Sequence, residues 1–323
     1  MSYSAHYSVL KKECIDLLSE NALTDAKSYF ADLTFGGGGH SFEFLYRSPF
    51  FNVRSTDQDP DALKNGAARI VAEKMENRIK LFNTNFLHFP ALAKEECREI
   101  NGFQGILLDL GVSSHHFDDG ARGFSFRFEA PLDMRMNNQS SEFQTAEEIV
   151  NNYREEDLYR IFTEYGEEKN AKKIARQICL DRKTKPIATT KDLENIIFHC
   201  YPKEHRYGKT NPSTKVFQAL RLEVNRELEV LEETITQLIP LLKIGGRLAI
   251  ISFHSLEDRI VKNVFRDASQ LDELAVEVLT KKPIIPSNEE IIANPRSRSA
   301  KLRVLERVEF KKEKNKYKHI DME

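Results

Sequence analysis

Short apolar runs alternate with segments of helical spacing from residue 27 onward, and three of the runs carry an aspartate at or near their end. "KSYFADL" (27–33) is apolar and runs on into four consecutive glycines. "FFNVRSTD" (50–57) ends at Asp57, and the most apolar run, "FQGILLDLGVSS" (103–114), carries Asp109. "NRIKLFNTNF" (77–86) supplies another strand pattern, "GGRLAIISFHS" (245–255) a fifth and "KLRVLERVEF" (301–310) the last. Between them, "SFEFLYRS" (41–48) has helical spacing, and the next helix has a chemically marked start. Asp59 suits an N-cap, Pro60 the first helical position, and Asp61 the positive end of the helix dipole. A further helix runs into Gly245-Gly246, which reads as its stop. Strands alternating with helices predict an α/β fold: a mostly parallel sheet covered on both faces, with ligands bound beyond the carboxyl ends of its strands.

The alternation breaks once. From residue 115 to 220 there is no strand pattern, only repeated helix starts. Thr145 and Glu148 have the spacing of a capping box, and Asn211-Pro212 opens a long helical pattern. We therefore expect an all-helical domain at 115–220, inserted into a sheet domain made of 1–114 and 221–323 and mounted over the ligand edge.

The glycines in "ADLTFGGGGHS" (31–41) admit three kinds of ligand. A nucleoside-triphosphate loop needs Gly-Lys-Ser/Thr at its end, because the lysine neutralises phosphate, and here the glycines end in Gly39-His40-Ser41. A dinucleotide loop built on Gly36 and Gly38 needs a third glycine where Ser41 stands, which weakens the nicotinamide-dehydrogenase reading without removing it. S-adenosylmethionine carries no phosphate and asks only for close backbone approach. On that reading Asp32 lies beside the methionyl end and Asp57 accepts hydrogen bonds from the ribose hydroxyls. Asp109 lies at the sheet's centre, where a transferred methyl would be; Asp59 is kept as a cap.

Other residues carry less. "HHFDD" (115–119) has metal-binding side chains, but adjacent ligands rarely converge on one ion, and no metal is expected. Ser113 and Ser114 read either as turn formers or as part of the reacting centre. His254 closes the fifth strand facing the same site, with Ser255 and Asp258 as a helix cap beyond it. Four scattered cysteines fit a reducing compartment, and no run is long enough to cross a bilayer, so a cytoplasmic protein with no membrane partner is expected. Net charge is near balance, but the stretch from Asn294 onward is basic, which suits a polyanion touching that surface.

"DLTFGGGGHS", "DQDPDAL", "LLDLGVSSHHFDDGARGFSFRFEAPLDMRMN", "KTNPSTKVFQALRLEVNRELEVL", "LLKIGGRLAIISFHSLEDRIVKNVF" and "NPRSRSAKLRVLER" together resemble the bacterial ribosomal RNA small-subunit methyltransferase H family. The likeness covers nearly the whole chain in the family's order. It implies a class I methyltransferase, Rossmann-like, that moves a methyl group from S-adenosylmethionine to the exocyclic N4 of a decoding-centre cytidine in 16S rRNA. It implies cofactor contacts at Gly38, Gly39, His40, Asp57, Phe86 and Asp109, and at His116, where the family usually has glutamine. Leu33 stands where the family commonly has glycine. Asp109, with Ser113 and Ser114, is expected to orient the target amine. Arg122, Arg127 and Arg135 beside Phe124 and Phe126, and Arg296 and Arg298, are expected to meet RNA. The partner implied is 16S rRNA within the small ribosomal subunit; a homodimer is compatible with the sequence. The alternatives are a ribosome-assembly factor that binds RNA without catalysis, and a dehydrogenase on the same fold.

Overall fold

The computed structural model describes residues 8–311 apart from 24, 97, 99, 112–121, 138–142, 209–210 and 272–273. In chain order the elements are α1 (Lys11–Ser19), β1 (Ser28–Asp32), α2 (Gly39–Arg47), β2 (Phe51–Asp57), α3 (Pro60–Ala72), β3 (Ile79–Asn83), α4 (Phe89–Glu96) and β4 (Phe103–Asp109). Then come α5 (Ala146–Asn152), α6 (Glu155–Glu164), α7 (Ala171–Asp181), α8 (Thr190–Cys200), α9 (Thr214–Val224) and α10 (Glu227–Leu238). The chain returns to the sheet with β5 (Leu242–Ser252), α11 (Ser255–Ala268), β6 (Val276–Val278), α12 (Asn288–Ala293) and β7 (Lys301–Arg307).

The seven strands lie in the order β3-β2-β1-β4-β5-β7-β6. β1 to β5 are parallel, whereas β7 runs antiparallel to both β5 and β6. The α/β class and mostly parallel sheet expected from the alternation are therefore present, and β6, three residues long, is an addition that no periodicity announced. Because successive strand residues face opposite sides, β4 feeds two cores. Ile106 and Leu108 join Leu248, Ile250, Leu231 and Phe265 on one face, and Leu107 joins Phe30, Val53, Ile251 and Val304 on the other. On that second face Phe30 stacks on Phe44 at 4.4 Å between centroids. Each such fully buried side chain contributes roughly 1.5–3 kcal/mol relative to exposure.

Gly245 and Gly246 do not stop a helix. They lie inside β5, opposite a register shift between Phe103 and Gly105, and a side chain on Gly246 would meet the Phe103 carbonyl oxygen at 2.5 Å. Close backbone approach, not helix termination, is what these glycines serve.

The helices α5 to α9 build a separate apolar cluster around Leu158, Ile161, Phe162, Ile174, Ile178, Leu193, Ile197 and Leu220. The capping box at Thr145 and Glu148 is formed. The expected boundary at 220 falls within α9, whose Val224 still belongs to this cluster. The helical pattern that opens near Asn211 breaks at Arg226, which has a left-handed backbone (φ 49°) and separates α9 from α10. No helix among the described residues is long and apolar enough to cross a membrane.

Candidate active site

A cavity of about 580 Å³ lies beyond the carboxyl ends of β1, β2 and β4 and reaches under the helical segment. Its size is ordinary for a small-molecule site. Leu33 to Gly37, His40, Asp57, Phe86 and Asp109 line one part of it; Phe124 to Phe128, Arg221, Glu227, Glu257 and Arg296 line another.

The loop after β1 is held from below and from the side. Asp32 is fully buried beneath it, where Ser41 Oγ donates to Asp32 Oδ2 at 2.6 Å and the Thr34 N–H reaches Oδ1 at 3.4 Å. Burial pushes the Asp32 carboxyl up to about 6, with the Ser41 hydrogen bond acting against it. Asp32 is not on the cavity wall; the expectation that it meets the ligand is corrected to a supporting role under the loop. The same contact explains Ser41, where a dinucleotide loop would want glycine: its hydroxyl also lies 2.8 Å from Ser55 Oγ.

The glycine expectation shifts as well. Gly36 lines the cavity as anticipated, but its wall continues through Gly37, not through Gly38 and Gly39. Gly38 is the left-handed N-cap of α2 (φ 74°), and a side chain there would meet the Phe35 ring at 2.6 Å. Gly39 opens α2 tightly against Ser8, whose hydroxyl lies well inside contact distance of the Cβ position. Both glycines shape the loop from outside the cavity.

Asp57 ends β2 with Oδ2 accepting the Gly36 N–H at 2.7 Å and Oδ1 accepting the Asp59 N–H at 2.8 Å. A carboxylate offers about four acceptor sites, so capacity remains on the cavity side for hydroxyl donors. Asp59 caps α3 through the Asp61 N–H at 3.1 Å, as its sequence context indicated. Phe86 opens the short turn of 3₁₀ helix Phe86–His88 and supplies an aromatic wall near Asp57.

Asp109 ends β4. Its backbone N–H donates to Thr34 Oγ1 at 2.7 Å, tying the strand to the loop, while its side-chain Oδ1 is buried with no hydrogen-bond partner. Burial raises this carboxyl well above the usual range, and the nearby charges of Asp32, Glu257 and Glu290 add to the effect. His40 is buried beside it: Nε2 lies 3.0 Å from the Val9 carbonyl oxygen, and Nδ1 lies 3.9 Å from Asp109 Oδ2. A carbonyl can only accept, so Nε2 carries the ring proton; burial holds the imidazole's pKa down at about 4.

Ser113, Ser114 and His116 lie outside the described residues. Among the arginines, Arg122 is corrected. It is 6% exposed, its Nη2 donates to the carbonyls of Arg135 and Met136 at 3.2 and 2.7 Å, and its Nη1 lies 3.8 Å from Asp59. It fastens the inserted segment to the start of α3 and presents no surface to a phosphate. Arg135 forms a two-pronged pair with Asp133, both contacts at 2.8 Å. Arg127 is exposed on the cavity wall; Arg296 and Arg298 are exposed on the short 3₁₀ helix Pro295–Ser299, and Arg296 also lines the cavity. Phe124 is buried in the helical cluster, and Phe126 meets Phe217 edge-on at 5.3 Å.

His254 is corrected too. It is itself the N-cap of α11, with Glu257 completing a capping box, and its Nε2 lies 3.0 Å from Glu257 Oε1. The cap is not Ser255 with Asp258; Asp258 instead pairs with Arg303 at 2.6 Å and Lys301 at 3.2 Å.

Two wall residues escaped the sequence reading. Arg221 and Glu227 form a two-pronged ion pair (2.9 and 3.1 Å) across the α9–α10 break. Only the break at Arg226 brings side chains six positions apart face to face, and nothing in local spacing signals it. No cluster of metal-ligating side chains occurs among the described residues.

The model of the MraW methylase family matches residues 3–308 of this chain. A ribosomal RNA small subunit methyltransferase H from Sulfurihydrogenibium sp. is 47% identical over 304 residues, covering 94% of this chain and 99% of that protein. Proteins of the same name from Leptospira interrogans and Picosynechococcus sp. are 43% and 44% identical, over 98% and 93% of this chain and 93% and 96% of their own lengths.

Proposed function

Because the chain belongs to the MraW methylase family, we propose that it is a methyltransferase of small-subunit ribosomal RNA, with S-adenosylmethionine as cofactor and the exocyclic N4 of a 16S cytosine as acceptor. The observation that carries the reading is Asp109: a buried carboxylate at the end of the central strand, on the cavity wall, with one oxygen left without a partner. A buried polar atom of that kind costs free energy unless a ligand completes it.

The residues around it fit the cofactor. Asp57 keeps acceptor capacity for two ribose hydroxyls, Phe86 offers a face to the adenine, and the Gly36-Gly37 backbone admits close approach. When bound, S-adenosylmethionine supplies an electrophilic methyl group on a positively charged sulfur. Cytosine's amino lone pair is delocalised into the ring, so the protein's task is to hold that nitrogen in line. We assign this to Asp109, and to Ser113 and Ser114 next to it in sequence; such orientation contributes several kcal/mol. A contact from His116 belongs to the same assignment. The base must leave its stack to reach the cavity, and Arg127, Arg296 and Arg298 offer cations at or near the wall for the flanking phosphates. The Ser41–Asp32 contact argues against the nicotinamide alternative, since the helix-packing glycine of such a loop is replaced by a buried polar bridge. A cytoplasmic location follows from the ribosomal substrate.

Small subunits from a strain lacking the enzyme, incubated with the protein and labelled S-adenosylmethionine, should yield N4-methylcytidine by mass spectrometry of the nucleosides. A label on another base, or none with cofactor bound, would overturn the assignment.

A further inference from the structure

The surroundings of Asp109 bear on the charge of its ligand as well as its position. The titratable groups that face it come from five elements: Cys14 on α1, Asp32 at the end of β1, His40 on α2, Glu257 on α11 and Glu290 on α12. Three of them are carboxyl groups that make a further negative charge unfavourable. His40 does not help: with its proton on Nε2, toward Val9, it turns the Nδ1 lone pair toward Asp109 Oδ2. Oδ1 is buried with no donor, and the hydrogen bond from the Asp109 N–H to Thr34 does not touch the carboxyl group. An ionised carboxylate in that setting lacks both hydrogen bonds and counter-charge. It gains a counter-charge only if a cation enters the cavity.

We propose that Asp109 is a proton switch that senses the charge of the cofactor's sulfur: it is protonated in the free protein, ionises when a sulfonium enters, and takes a proton back once the methyl group has left. This rests on the reading of the cavity as an S-adenosylmethionine site and adds a coupling to it. The charges balance. As the new N–C bond forms, the S–C bond breaks, sulfur keeps the electron pair and becomes neutral, and the nitrogen sheds one proton. Asp109, having lost its positive neighbour at that moment, is the acceptor for that proton. His40 is the positioning residue: by keeping its own proton toward Val9 it offers Asp109 no competing charge. The product complex, with a neutral thioether, then holds a protonated Asp109 as the free protein does.

The test is calorimetric and needs no turnover. Titrate the full chain with S-adenosylmethionine and with S-adenosylhomocysteine near neutral pH, in buffers of different ionisation enthalpy, and count protons released. The sulfonium should release about one more proton per site than the thioether, and its affinity should rise about tenfold per pH unit while that of the thioether stays flat. Asp109→Asn should abolish the difference while still binding the thioether. Equal proton counts for the two ligands in the wild-type protein, or a difference that survives in Asp109→Asn, would overturn the proposal. If the variant does not fold, the wild-type comparison and its pH dependence still decide. Failure of both ligands to bind would instead count against the cofactor reading itself.

Discussion

Ser41 and Asp32 form the buried bridge on which the first loop rests: the hydroxyl donates to the carboxylate at 2.6 Å and touches Ser55 Oγ at 2.8 Å. Removing it by Ser41→Ala leaves a fully buried carboxylate held by backbone contacts alone, the Thr34 N–H at 3.4 Å among them. Hydrogen bonds to charged groups are worth about 1.5–3 kcal/mol, and a loss of that size is expected in urea unfolding. Ser41→Gly should show the same loss and gain no affinity for nicotinamide dinucleotide, measured by thermal shift. Tight binding of that cofactor by Ser41→Gly would revive the dehydrogenase alternative.

Two buried groups in the same loop should oppose each other in acid. Asp32 is raised from 3.8 to about 6, so the folded state binds its proton more tightly and stability rises as pH falls from about 6 to about 4. His40 is lowered from 6.5 to about 4, so the unfolded state binds the proton more tightly and stability is lost across nearly the same interval. Each effect is on the order of 3 kcal/mol, and in the wild-type chain they largely cancel. Asp32→Asn removes the compensating gain and should steepen the acid loss of stability; His40→Asn should flatten it. Denaturant midpoints between pH 4 and 7 distinguish the variants. Identical profiles for all three proteins would show that these groups are not buried as described.

The glycines of the loop should not be equivalent. Gly38 combines φ 74° with a ring carbon of Phe35 only 2.6 Å from its Cβ position, whereas Gly36 (φ 50°) has nothing closer than 3.9 Å. Gly38→Ala must displace Phe35, itself a wall residue, and should weaken S-adenosylhomocysteine binding more than tenfold, a loss of over about 1.4 kcal/mol. Gly36→Ala bears mainly the left-handed backbone cost of about 1 kcal/mol. Equal loss at both positions would mean that ligand contact, not packing against Phe35, dominates at Gly36.

How far the sequence was legible follows the range of the forces involved. The strand-end acids Asp57 and Asp109, the Asp59 cap and the Thr145–Glu148 box are set by neighbours within a few residues, and each sits where its local context places it. What escaped depends on contacts between distant segments. The bulge that needs Gly246 exists because β4 lies beside it, and Arg122 is buried because carbonyls 13 and 14 residues away turn toward it. His254 is a less usual capping residue than Ser255, and only the reach of Glu257 back to its backbone decides between them. The two-residue offset in the glycines, Gly36-Gly37 on the wall and Gly38-Gly39 against Phe35 and Ser8, is set by which side of the loop the core occupies.

Asp57 supports the loop and faces the cavity, and the two duties can be separated. Asp57→Asn keeps one oxygen for the Gly36 or Asp59 N–H but loses the negative charge and part of the acceptor capacity. Affinity for S-adenosylhomocysteine should fall about tenfold to hundredfold with modest loss of stability. Asp57→Ala frees both N–H groups and should lose stability as well. Unchanged affinity in the Asp57→Asn protein would exclude the ribose contact.

The arginines give the sharpest contrast between a structural cation and one available to RNA. Arg296 and Arg298 are exposed beside the cavity mouth, so Arg296→Ala and Arg298→Ala should leave unfolding midpoints in place and weaken RNA binding. If each meets one phosphate, the slope of log affinity against log salt should become shallower by about 0.7 per substitution on single-stranded RNA. Arg122→Ala should behave in the opposite way. It leaves the carbonyls of Arg135 and Met136 without their donor and releases the contact to Asp59, a cost of about 1–3 kcal/mol for each group left buried and unmet. Its salt slope should stay that of the wild type under conditions where it is folded. Filter binding at several salt concentrations, run beside urea unfolding on all three variants, makes the comparison. A reduced slope for Arg122→Ala would mean that the inserted segment opens to expose this guanidinium when RNA arrives.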